Sequence, residues 1–221
     1  MPEAWATALG AGLDRMLRSG LRGVWLRGEL PDGPFVWAAN HHSWWDPFVA
    51  AAVLRRQNRH ACLLMSQENL RQYAFVRRLG VFGSGEPRTG LRYLSQGRVL
   101  VAYPEAELRP AGPPGPLASG AAWFAHRGGV ALAAVAVRLA MRGHQAPEAY
   151  VSVQRVAVSE RPADTTAQLA STLGEALSTM DGQIAASDPR APLPGFAPLV
   201  RGRRSWDERI DAIGRWRSWR G

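Results

Sequence analysis

A chain of 221 residues and 24.1 kDa that is 46% hydrophobic and 20% charged can bury one sizeable core, which excludes a disordered linker or tail. A single cysteine, Cys62, excludes an internal disulfide, and a formal net charge of +9, carried by arginine without any lysine, gives a surface that attracts polyanions. No apolar run approaches the ~20 residues needed to cross a bilayer, and the first twenty residues lack the pattern of a secretory signal, so the chain is expected to be soluble or peripheral.

The N-terminal run spaces Trp5, Leu9, Gly12, Leu13, Met16 and Leu17 as an amphipathic helix. PFVWAAN (34–40) follows a Pro-Asp-Gly-Pro turn and predicts a buried strand, and 47–56 a helix. Residues 60–66 predict a strand, and 69–80 an amphipathic helix closed by Gly80. A short strand at 81–83, a helix at 89–97 and a buried strand at 98–103 come next. The four prolines of 108–116 force an irregular loop. Residues 119–129 predict a helix, 130–139 and 148–158 strands, and 164–186 a long helix capped by Asp164 or Thr165. The stretch 187–204 reads as a proline- and arginine-rich connector, leading to a last helix at 205–221. The alternation predicts a single α/β domain over 1–204 with a mixed, largely parallel sheet flanked by helices. In such sheets the sites lie beyond the carboxyl ends of the strands.

The stretch ANHHSWWDPF (39–48) concentrates chemistry at such an end. Asp46 before Pro47 reads as a helix cap. The spacing from His41 also lets the carboxylate fold back onto the imidazole, fixing its tautomer and leaving the other ring nitrogen as a base. Glu105 and Glu107 follow the buried strand 98–103 and are expected at the same edge. On an extended path they would point to one side.

Two motifs carry a family resemblance. Asn40, His41, Ser43, Trp44 and Asp46 fit the Asn-His-x-Ser-Trp-x-Asp form of the His-x4-Asp motif of the glycerolipid (lysophosphatidate) acyltransferase superfamily. AYPEAELR resembles that family's Phe-Pro-Glu-Gly-Thr-Arg, with Pro104 and Glu105 matching and the arginine one place late, at Arg109. Arg88, in VFGSGEPRTG, resembles the arginine between them, and the resemblance runs in order over about 34–140. It implies an acyltransferase-like fold and transfer of a fatty acyl group from acyl-coenzyme A or acyl carrier protein to a hydroxyl. His41 would be the base and Asp46 its orienting partner. Arg88, Glu105, Glu107 and Arg109 would face the acceptor, with no metal or other cofactor. His42 is expected to matter much less than His41. The chain departs from the pattern at Ala106 and Glu107, where an extra carboxylate opposes a phosphate and favours a neutral hydroxylated acceptor.

Trp44 and Trp45 either pack the sheet edge or form an apolar wall for the acyl chain. In the last segment Trp206, Ile210, Ile213 and Trp216 share a helical face, flanked by Arg209, Arg215, Arg217 and Arg220. Such a helix either docks on the domain or lies in a membrane interface, which would place the protein on the inner face of the cell membrane. A metal-dependent hydrolase built on His41, His42, Asp46 and Glu105 lacks any familiar ligand spacing. A non-catalytic lipid- or nucleic-acid-binding module has dispersed arginines and no nucleic-acid motif, so nucleic acid is not expected as a partner.

Overall fold

Short apolar strands alternating with helices build one eight-stranded sheet. The computed structural model describes residues 2–210, with side chains from Gly10 onward. In chain order come α1 (Pro2–Gly20), β1 (Gly23–Arg27), β2 (Phe35–Ala39), α2 (Asp46–Arg56), β3 (Ala61–Met65) and α3 (Gln67–Gln72). A 3-10 turn (Ala74–Leu79), β4 (Val81–Gly83), α4 (Pro87–Ser95), β5 (Val99–Ala102) and α5 (Gly120–Gly128) follow. The last elements are β6 (Ala131–Ala140), β7 (Glu148–Val156), α6 (Pro162–Ala186) and β8 (Ala197–Arg201), and residues 206–210 begin a further helix. The strand order is β4-β3-β5-β2-β6-β7-β1-β8, antiparallel only where β7 meets β6 and β8 meets β1.

The central strands are covered on both faces, which is why they read as unbroken apolar runs. On one face α2 and the end of α1 pack on Phe35, Trp37, Val101 and Val135. On the other, α4, α5 and α6 pack on Val36, Leu100, Leu132 and Ala134. Chain direction also diverges here. From β2 the chain crosses by α2 towards β3, and from β5 it crosses by α5 to β6 on the opposite face. Adjacent strands with helices leaving to opposite faces open a crevice at their carboxyl ends.

Several expected boundaries move. β1 and β8 are strands that the sequence pattern does not suggest. β8 tolerates Pro198 because it is the sheet edge and the register slips beside Trp25. The helix expected over 69–80 is split at Tyr73, because only Leu70 is buried in α3 and nothing is buried in the 3-10 turn. Without an apolar stripe to pack, a longer helix gains little. α6 starts at Pro162, and Thr165 accepts the Ser159 N–H at 2.9 Å instead of capping its own helix.

At the chain ends, Leu17 is buried against the α2 face, and Arg55 of α2 pairs with Asp14 and bonds the Gly10 carbonyl. The helix at 206–210 is held by its polar side. Ser205 meets His144 at 3.0 Å and Glu208 pairs with Arg22 at 2.8 Å, while Trp206 and Ile210 face solvent. Ile213, Arg215, Trp216, Arg217 and Arg220 lie outside the described residues, as do the side chains of Trp5 and Leu9.

Candidate active site

The carboxyl ends of β2 and β5 lead into the turn 40–45 and residues 103–118, which the His41–Glu105 and Arg109–His41 hydrogen bonds bring together. Val49, Ala50, Val53 and Leu54 form the buried stripe of α2, and Asp46 heads the same stripe, 1% exposed. A carboxylate placed there must find donors. Oδ2 accepts from the backbone N–H groups of His42 and Ser43 and meets His41 Nδ1, each at 2.9 Å. The side chain therefore turns back into the preceding turn. It makes no cap bond to its own helix, which corrects the capping expectation. With its Nδ1 against Asp46, His41 presents Nε2, which makes no hydrogen bond among the described residues.

The other strand end differs from expectation in one respect. Ala106 adopts a φ of 60°, and its N–H closes a turn onto the Tyr103 carbonyl at 3.0 Å. The path is not extended, so Glu105 and Glu107 do not point to one side. Glu105 is buried and takes the His41 N–H and the Gly115 N–H, both at 2.9 Å. It fastens the proline loop and the His41 turn together. Glu107 is exposed and pairs with Arg109 at 2.6 Å. Arg109 also donates its backbone N–H to the His41 carbonyl at 2.8 Å. Left-handed backbone costs an alanine about 1–2 kcal/mol, a strain that glycine at this point of the family motif avoids.

Arg88 is exposed in the first turn of α4, beyond edge strand β4. Three strand spacings, ~14 Å, separate that strand from β2, so Arg88 shares the edge of His41 but not its immediate surroundings. Trp45 packs its ring against Gly20, leaving no room for a side chain there. Trp44 is 61% exposed and, with Trp45 and Phe48, forms an aromatic cluster at the start of α2. One tryptophan packs the edge and the other faces out.

Three contributors had no role assigned from the sequence, although Asn40 belongs to the first motif. The Tyr103 ring stacks on His41, centroids 4.4 Å apart. Asn40 binds both the N–H and the carbonyl of Val137, tying the turn to the part of β6 that extends beyond β2. Arg138, 4% exposed, makes a two-pronged pair with Asp181 and donates to the Gly112 carbonyl at 2.6 Å. The signal for it was a lone arginine ending the apolar run 130–137. Among the described residues, no group of three His, Cys, Asp or Glu is placed to hold a metal ion.

The sequence matches the Acyltransferase family over residues 24–138, just over half of the chain. The fold is similar to the crystal structure of the 1-acyl-sn-glycerophosphate (LPA) acyltransferase PlsC from Thermotoga maritima. The two share 16% identity, with a TM-score of 0.57, and the match covers 85% of this chain and 84% of that one. No curated protein matches the chain.

His42 has a role distinct from that of His41. Its Nδ1 lies 2.8 Å from the Asn40 amide nitrogen, and its Nε2 lies 3.3 Å from the Leu139 backbone nitrogen. The Val137 contacts fix the Asn40 amide as a donor to Nδ1, which puts the hydrogen of the neutral ring on Nε2, and a second proton on Nδ1 would meet the Asn40 N–H instead of an acceptor. Burial, helped by Arg138, lowers its pKa below the ordinary 6.5, outweighing Asp46 and Glu105. The unfolded chain therefore binds this proton more readily than the folded one. Stability from this residue is complete above about pH 6.5 and is lost as pH falls below it. Urea unfolding at pH 7.5 and 5.5 should show wild type losing more stability on acidification than His42→Gln; equal losses would refute the assignment.

Proposed function

Because the chain belongs to the acyltransferase family, we propose that it moves a fatty acyl group from an acyl thioester to a hydroxyl of a lipid or glycolipid acceptor, with His41 as base. The observation that carries this reading is the His41–Asp46 contact, made by a carboxylate already held by two backbone N–H groups at a strand end. His41 Nε2 takes the proton of the acceptor hydroxyl as its oxygen attacks the thioester carbonyl. Asp46 fixes the tautomer and stabilises the imidazolium that forms. Collapse of the tetrahedral intermediate breaks the carbon–sulfur bond, and the imidazolium returns the proton to the leaving thiolate. The products are an ester and a free thiol, with no covalent enzyme intermediate. His41→Ala should lower kcat/KM at least ~10³-fold in a folded protein, and Asp46→Asn about tenfold less severely. The assay follows thiol release and the new ester by mass spectrometry. Near-normal turnover by folded His41→Ala would sink the mechanism.

The electrostatics beside His41 favour a neutral acceptor. Arg109 is paired with Glu107 and Arg138 with Asp181, while Arg88 lies three strands away. A phosphate brought to this crevice meets cations that already have carboxylate partners. A neutral hydroxylated lipid should therefore outcompete lysophosphatidate in side-by-side assays, run with acyl-coenzyme A and with acyl carrier protein as donors. Glu107→Thr should raise lysophosphatidate use by freeing Arg109. A clear wild-type preference for lysophosphatidate would restore the phosphorylated acceptor.

Peripheral attachment to the inner face of the cell membrane through the terminal amphipathic helices belongs to the same proposal. No described helix is long and apolar enough to cross a membrane. Trp206 and Ile210, one turn apart, are exposed on the C-terminal helix beside Arg209. Trp44, Leu108 and Met141 are exposed on the connections leaving the carboxyl ends of β2, β5 and β6. Binding to anionic vesicles should weaken in Trp206→Ser/Ile210→Ser and in high salt, since screening acts over ~10 Å at 0.1 M. Unchanged sedimentation of that double variant with vesicles would remove the C-terminal helix from the contact.

A further inference from the structure

Gly20 ends α1 with ordinary helical backbone and no positive φ, where alanine is at least as good a helix former. Its conformation therefore does not require glycine. Space does: a Cβ there would run into Cζ2 and Cη2 of the Trp45 ring, closer than side chains approach. α1 is itself seated along α2 in the opposite direction. Leu17 is buried, and Arg55, at the far end of α2, bonds the Gly10 carbonyl at 2.5 Å and pairs with Asp14. The Trp45 ring also has edge-to-face neighbours in Trp44 and Phe48, with centroids 5.5 Å and 6.2 Å away. Moving the ring off Gly20 must disturb these contacts or shift the backbone of residue 45.

That backbone is part of the His41 turn. The Trp45 N–H donates to Ser43 Oγ at 3.1 Å, and its carbonyl accepts the Val49 N–H at 2.9 Å. Ser43 gives its own N–H to Asp46 Oδ2, and Asp46 is the next residue along the chain. A shift of Trp45 is therefore passed at once to the carboxylate and to one of its two backbone donors, and through them to His41 Nδ1. Resting on the acyl-transfer reading above, we propose that Trp45 is a positioning residue: its ring, wedged on Gly20, lets α1 set the turn that aims the His41 imidazole. The buried stripe of α2 holds Asp46 from inside the domain, and the end of α1 holds the same turn from outside. The turn needs both, because residues 40–45 belong to no helix or strand that would fix their path.

Gly20→Ala crowds the ring, and Trp45→Phe in the same chain gives the added methyl room. In a folded protein Gly20→Ala should lower kcat about ten- to a hundredfold, with KM for the thioester changed less than about twofold. The double variant should recover most of that loss and end within about threefold of Trp45→Phe alone. A glycine kept only for the packing of α1 would instead move the melting temperature and leave kcat in place. A glycine kept for its backbone would gain nothing from a change at residue 45. The second reading needs no activity. The His41 ring-nitrogen resonances of isotopically labelled protein, identified by their loss in His41→Ala, should shift in Gly20→Ala and return in the double variant. Should Gly20→Ala fail to fold, Trp45→Ala removes the wedge without crowding, and it should show the same loss of kcat and displaced His41 resonances. Wild-type kcat in folded Gly20→Ala or Trp45→Ala, absence of rescue, or unmoved His41 resonances overturns the proposal. Absence of acyl transfer by wild type would sink the acyl-transfer reading, and the His41 resonances would still decide the role of Trp45.

Discussion

A carboxylate at the head of an apolar helix stripe is the constraint from which the site follows. α2 docks on the sheet through Val49, Ala50, Val53 and Leu54, and the same rotation brings Asp46 inside. An unpaired ion there would cost several kcal/mol. The turn before the helix is the nearest source of donors, so it curls until two of its N–H groups and the His41 ring reach one oxygen. The positive field of the helix start acts in the same direction. The imidazole is thus positioned as a by-product of satisfying a buried charge, and the geometry is as stiff as the packing of α2.

The opposite wall of the crevice is fixed by the same logic with different partners. A proline loop cannot hold itself by a regular backbone ladder. Glu105 supplies the missing acceptor for Gly115, and Arg138 the missing donor for the Gly112 carbonyl. Asn40 and Arg138 both work on β6 beyond its pairing with β2, so this overhang is a rail to which the His41 turn and the proline loop are separately fastened. The polar groups around His41 thereby rest on a rigid sheet although they lie on connecting segments.

What the sequence disclosed and withheld follows from these interactions. The β2–α2 turn was legible because its apolar run, its His-x4-Asp spacing and the Asp-Pro helix start agree at three levels. The α/β alternation was legible because the central strands are buried on both faces. The relative direction of Glu105 and Glu107 was misjudged because Ala106 between them takes a left-handed conformation that alanine rarely adopts, so an extended path was the natural expectation. Tyr103 passed as the end of an apolar strand, since nothing in periodicity distinguishes a stacking tyrosine from a packing one. β8 was hidden by Pro198, which only an edge strand accepts, and an edge position is a property of the whole sheet.

The strand order also dictates a timetable for folding. β1 is made early, yet its neighbours are β7 and β8: Gly23 waits for Glu148 on one side and Arg201 on the other. β2, β3, β4 and β5 form a contiguous half-sheet whose pairings lie within residues 35–102 and can assemble while the rest is still being synthesised. Long-range pairing is slow, because loop closure must precede its reward. During that interval β1, with Val24 and Trp25 destined for the core, is an unpaired edge available to other chains. Completion of the sheet therefore falls to the last strand of the fold, and a pause in synthesis before residue 148 would leave β1 without either neighbour.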